Sequence, residues 1–280
     1  MLWLTLVLAA GPCDGCHLEV HAAYANSLHS RAHDDPAFVA SWTRVSKRPW
    51  CSTCHDPLRT GRGLTCELCH AEAARALEGH EHRPEPELAT AGFCGHCHQF
   101  SGPEPQLATV PMQDTVAEWK AAREKGEART CVGCHFRGVD HGARGGHEAQ
   151  SSLEVTSTTR GCVTLTAPDV GHSVPTGDPF HQLVLRLCAD ASCKTPVASR
   201  WLRRTLLLTD AGVVEGEDTR VPAGVLGHRQ ECFPASAWGA TAWQLEAVHA
   251  EAGLEDAPPG ERRRVVGRGL LGWGLRRKSP

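Results

Sequence analysis

The pattern Cys-x-x-Cys-His occurs five times in this chain: at Cys13, Cys16 and His17; at Cys51, Cys54 and His55; at Cys66, Cys69 and His70; at Cys94, Cys97 and His98; and at Cys131, Cys134 and His135. The chain's own frequencies, 14 Cys and 17 His in 280 residues, lead one to expect roughly 0.04 copies by chance. The spacing has a specific chemical use. Two Cys three apart can each add to a vinyl group of one porphyrin, giving two thioethers along one edge, and the adjacent His then reaches the iron as its proximal ligand. The motifs therefore predict five covalently attached haems c. Zinc ribbons also use Cys pairs, and the pair at Cys51 and Cys54 lies close before that at Cys66 and Cys69. A ribbon, however, has no need of His directly after every second Cys, and thioredoxin-like chemistry needs one such pair, not five.

Composition sets the sixth ligand. Met112 is the only Met beyond Met1, whereas twelve of the 17 His remain once the five motif His are set aside. Ligation by two His should dominate, and since Met raises the potential relative to His, mostly low potentials follow. The same composition, with 6 Phe and one Tyr, leaves porphyrin faces to supply apolar surface that aromatic side chains usually provide.

Beyond the motifs, segments 24 to 38, 63 to 70, 94 to 100, 141 to 147 and 171 to 179 resemble the multihaem cytochromes c related to the tetrahaem electron-transfer cytochromes of nitrification, in the version with a C-terminal β-rich extension. The resemblance covers most of the chain. It implies distal iron ligands at His29, in a Ser-x-His segment, at His141, before Gly-Gly, and at His172, before Val-Pro-Thr-Gly. His80 follows as a fourth, with His82 an equally reachable neighbour, and His147 as a fifth, with His21, His33 and His96 as alternatives.

The fold expected is a multihaem cytochrome of short helices and loops wrapped around haems, followed by an antiparallel, sandwich-like β-rich region. Residues 1 to 10, apolar and ending in small side chains, read as a signal segment for export to the periplasm or beyond, too short to span a bilayer. Residues 11 to 150 form the pentahaem region, with helical spacing over 18 to 33 and over 114 to 125, the latter capped by Asp114 or Thr115. From 151 to 257, strand-length runs at 155 to 159, 162 to 166, 183 to 188, 201 to 209, 212 to 215 and 243 to 248 form a β-rich domain that contributes a haem ligand through His172. Its four Cys suggest disulfides in an exported chain. Cys188 and Cys193 lie close enough to close a local loop, leaving Cys162 and Cys232 for a second bridge, and the pairing stays open. Residues 258 to 280 read as a basic, solvated tail.

A net charge of -3 with interspersed signs leaves no footprint for nucleic acid. Electron transfer between redox partner proteins, either free or as a subunit of a membrane-associated redox complex, is the function expected; no catalytic residue is assigned. A nitrite-reductase-like enzyme with one open iron is the alternative. Such enzymes carry Cys-x-x-Cys-Lys at the catalytic haem and a distal Tyr, whereas all five motifs here end in His and the one Tyr, Tyr24, sits in the Ser-x-His segment.

Overall fold

A computed structural model describes residues 13–70, 86–127, 129–136, 141–142, 153–224, 227–249 and 263–272. The first part is a series of short helices: α1 (Leu18–Ala25), α2 (Pro36–Arg44), α3 (Ser52–His55), α4 (Cys66–Cys69), α5 (Ala91–His98), α6 (Thr115–Glu124) and α7 (Cys131–His135). Three of them, α2, α5 and α7, begin at a side-chain cap. Asp35 accepts hydrogen bonds from the Ala37 and Phe38 amides ahead of Pro36, and Thr90 and Thr130 cap α5 and α7 through the Phe93 and Gly133 amides.

Helix α1 is shorter than the periodicity of 18 to 33 predicts. Past Asn26, Ser30 takes the chain out of the helix, its amide donating to Ser27 Oγ and its hydroxyl to the Ala25 carbonyl. This break carries His29 back towards the third motif, where the Leu64 amide donates to the His29 carbonyl at 3.1 Å. Gly63, at φ +72°, makes that approach possible, since a Cβ there would stand 2.8 Å from the same oxygen. Helix α6 is capped differently from the sequence expectation. Asp114 occupies the N-cap position but accepts from Gln99 Nε2 instead, and Gln99 Oε1 receives the Val116 and Ala117 amides. The cap thus comes from the residue that follows His98.

A short antiparallel pair, β1 (Gln99–Phe100) and β2 (Gln113–Asp114), stands among the helices, and beyond Leu153 the chain is antiparallel sheet. A three-stranded sheet orders β3 (Glu154–Thr159), β4 (Cys162–Thr166) and β9 (His228–Cys232), and a four-stranded sheet orders β11 (Arg263–Leu270), β10 (Ala242–His249), β5 (His181–Cys188) and β6 (Pro196–Leu202). A ribbon of β7 (Arg204–Thr209) and β8 (Gly212–Asp218) stands beside them. Val163 and Leu165 of β4 share one buried cluster with Leu183, Leu185 and Leu187 of β5 and Leu245 of β10, so the two sheets close on a common apolar core. In contrast, Val116 and Ala122 are the only buried apolar side chains among the described residues before Leu153.

Three strand expectations are corrected. The run 201 to 209 is two strands in different sheets, because the chain turns at Arg203, whose amide and carbonyl both bond to Thr219. Strand β9 has no apolar alternation to reveal it and pairs with β4 throughout, from Cys162 opposite Cys232 to Thr166 opposite His228. Residues 263 to 270 form an edge strand rather than a solvated tail. Gly267 and Gly269 leave room there for the Trp243 indole, which a Cβ on Gly269 would meet at 2.6 Å, and Arg268 donates to Gln244 at 2.9 Å. Disulfides join Cys162 to Cys232 and Cys188 to Cys193.

Candidate haem-binding site

Each motif is wound into helix or turn, which puts the two Cys, at i and i+3, on one face with the His next to them. In the first, the His17 amide donates to the Cys13 carbonyl at 3.0 Å; in the third, the His70 amide donates to that of Cys66 at 2.8 Å. None of the ten motif Cys belongs to the Cys162–Cys232 or Cys188–Cys193 disulfide. Motifs also meet one another: the thiols of Cys13 and Cys66, of Cys54 and Cys97, and of Cys94 and Cys131 lie within hydrogen-bonding reach.

Three motif imidazoles face an imidazole from far along the chain. The ring centroids of His98 and His29 are 6.2 Å apart, those of His70 and His141 are 6.1 Å apart, and those of His135 and His172 are 6.2 Å apart with planes within 4° of parallel. Two imidazoles bound to opposite sides of one iron, at metal–nitrogen bonds of about 2 Å, have centroids separated by about 6 Å.

Hydrogen bonds fix which nitrogen each ring presents. His55 Nδ1 lies 2.8 Å from the Ala32 carbonyl and His172 Nδ1 3.0 Å from that of Ser173. A carbonyl only accepts, so Nδ1 carries the proton in both and Nε2 is left bare, the state a metal requires. His98 is held differently: Gln113 Nε2 stands 3.1 Å from its Nδ1 and also donates to the Thr115 hydroxyl at 3.3 Å, so Nδ1 is the acceptor there. Enclosure by protein pushes His29, His55 and His172 below the usual imidazole range, and takes His98, also beside His29, His135 and His172, down to about 4. These rings are neutral near pH 7.

His55 has a different neighbour. Phe38 stacks on it at 3.8 Å and 8° between planes. His33 packs against Phe38 and Trp42 with Nδ1 3.7 Å from Asp56; His21 lies 6.3 Å from the Tyr24 ring; His96 is exposed, its Nδ1 3.0 Å from the Phe93 carbonyl. His80, His82 and His147 lie outside the described residues. Tyr24 donates to the Leu64 carbonyl at 2.5 Å, and burial first, then the nearby Cys66 and Cys69, push its hydroxyl up to about 12.

The two parts of the chain are joined at this site. Glu118 of α6 accepts from the Ser173 amide at 3.2 Å and from the Thr176 hydroxyl at 2.8 Å, and pairs with Arg220, so the loop bearing His172 is anchored to the helical region. Thr115 and Thr176 hydroxyls meet at 2.9 Å. Neither Gln113 nor Glu118 carries a sequence signal, because both act across long loops. Phe38 does, as the last residue of the segment 24 to 38.

The structure is similar to that of a pentahaem cytochrome c552 from Thermochromatium tepidum, with a TM-score of 0.69 and 19% identity over 92% of this chain and 97% of that one. The fold is that of a multihaem cytochrome. No family model matches the sequence, and no curated protein does. Within the multihaem cytochrome fold, then, the placement of thiols and imidazoles rests on the geometry of this chain itself. Among the described residues no helix is long and apolar enough to cross a membrane.

Proposed function

We propose that the chain holds five haems c and transfers electrons between redox proteins outside the cytoplasm. The observation that carries this reading is the set of three imidazole pairs, each uniting a motif His with a His remote in sequence at the separation one iron requires. The five Cys pairs, each wound so that both Cys share a face, suit thioether attachment, and the scarcity of buried apolar side chains among the described residues before Leu153 suits a region whose apolar surface is porphyrin.

In this reading Cys13, Cys16, Cys51, Cys54, Cys66, Cys69, Cys94, Cys97, Cys131 and Cys134 hold the porphyrins, and His17, His55, His70, His98 and His135 are proximal. His29 stands opposite His98, His141 opposite His70 and His172 opposite His135; His80 and His147 are proposed for the other two. Haem iron supplies reversible one-electron chemistry. The protein's part is to fill both axial positions with neutral imidazoles, exclude exogenous ligands and hold the rings in place. Two disulfides favour an oxidising compartment, in keeping with export and with redox partners in the periplasm or at a membrane complex.

A reductase is the second reading. It is favoured by His55, which among the described residues is stacked by Phe38 rather than matched by an imidazole. The test is an optical spectrum of the exported protein, oxidised and reduced, with a pyridine haemochrome count and carbon monoxide added to the reduced form. Five haems without a carbon monoxide shift support the carrier; a shift amounting to one haem supports the reductase; absence of a Soret band overturns both and returns the Cys pairs to zinc.

A further inference from the structure

Asp178, His181 and His249, none of them a motif residue, gather at one end of the four-stranded sheet. His181 opens β5 and His249 closes β10, and the antiparallel register sets them directly opposite each other. Asp178 lies three residues before His181, in the loop that enters β5. Donor atoms of the three side chains lie within 4.8 Å of one another.

From this cluster we propose a second kind of metal site: a mononuclear centre for a divalent transition metal of the zinc type, bound by His181, His249 and Asp178, with its remaining positions open to water.

Two imidazole nitrogens and one carboxylate oxygen are the donor set of open zinc and related sites, whereas magnesium and calcium take oxygen donors alone. Three features suit a metal more than a simple hydrogen-bonded cluster. First, Nδ1 of His249 is buried and has no hydrogen-bond partner among the described residues, a costly state that a metal bond would relieve. Second, the carboxylate is already fixed: its Oδ1 accepts the Phe180 amide at 2.8 Å and its Oδ2 lies 2.8 Å from His181 Nδ1. Third, the site is reachable, since the His181 side chain is 48% exposed.

The cluster is not a further imidazole pair for haem. The His181 and His249 centroids are 4.8 Å apart with the rings edge to face at 86°, too close to stand on opposite sides of one iron. From the helical region Asp35 adds negative potential around His249, and His55 lies within electrostatic reach of Asp178.

The experiment uses the full-length, haem-loaded protein after dialysis against a chelator, which leaves covalent haem iron in place. Zinc is titrated calorimetrically and bound metal is counted by mass spectrometry. One zinc per chain is expected in addition to haem iron. His181→Ala, at an exposed position, and separately His249→Ala, should each weaken zinc binding at least tenfold with the haem spectrum unchanged. No zinc beyond background, equal affinity in wild type and both variants, or loss of a low-spin haem signal in His181→Ala would each overturn the site. None of these outcomes depends on whether the haems carry electrons or reduce a substrate.

Discussion

His135 ends the last motif helix and His172 lies in a loop of the β-rich region, yet their imidazole planes are parallel to within 4°. The pairing means that one proposed iron is held jointly by both parts of the chain. Replacing His172 with Ala should leave that iron five-coordinate. About one fifth of the haem is then expected to turn high-spin and bind carbon monoxide, with the other four unaffected. A variant spectrum identical to wild type would remove His172 from the ligand set.

The ion pair of Glu118 with Arg220 is the anchor beneath that loop. Both side chains are only 8% exposed, and Arg220 also bonds Asp218 at 2.7 Å. Removing one member of a buried pair leaves the other charge without compensation, so Arg220→Met should lower stability by about 3–5 kcal/mol in denaturant unfolding. A loss under 1 kcal/mol would show that the pair is solvated in solution.

Asp218 supplies an acid limb to stability. Burial works against its ionisation, but the Arg220 guanidinium and amide prevail and hold its carboxyl below the usual range. A carboxyl with a depressed folded value stabilises fully above its unfolded value, about pH 4, and loses this as pH falls through the folded value. Unfolding measured from pH 6 down to pH 2 should therefore show a steeper loss in wild type than in Asp218→Asn. Parallel curves would mean that other carboxylates carry the acid response.

The Cys-x-x-Cys-His motifs are legible in the sequence because their spacing is local, whereas His29, His141 and His172 are marked only by the family resemblance of the segments around them. The structure brings His29, His141 and His172 to motif imidazoles, and those three lie in segments with recognisable residues around them. What escaped was relational. Gln99 caps α6 from across a loop, the chain changes sheets at Arg203, and His228–Cys232 becomes a strand through its pairing with Cys162–Thr166 rather than through any alternation of its own. The basic residues after 258 suggested solvent exposure, but glycines at 267 and 269 were spaces for Trp243. Local propensity does not encode such partners.

The Cys162 to Cys232 bridge closes the longer loop, its ends separated by 70 positions in sequence, across the β4 and β9 register. Loop-closure entropy for that length is about 4 kcal/mol. The double variant Cys162→Ser and Cys232→Ser, which leaves no odd thiol to compete with the haem motifs, should lose roughly 2–4 kcal/mol of stability while retaining its haem count. Unchanged stability would mean that the bridge does not form in the exported protein.

Tyr24 separates the carrier from the reductase reading. Its hydroxyl donates to the Leu64 carbonyl, tying α1 to the segment that leads into the third motif, and with its titration pushed up to about 12 it stays protonated at any working pH. A hydroxyl engaged in this way is a structural strut. Tyr24→Phe removes the donor and leaves a half-buried carbonyl short of one bond, which should cost about 1–2 kcal/mol. Electron transfer from a reduced donor protein, followed by stopped-flow absorbance, should proceed at the wild-type rate with an unchanged haem spectrum. If the variant keeps its stability but loses a nitrite- or hydroxylamine-dependent oxidation of the reduced haems, the hydroxyl acts on a substrate, and the carrier reading gives way to the reductase.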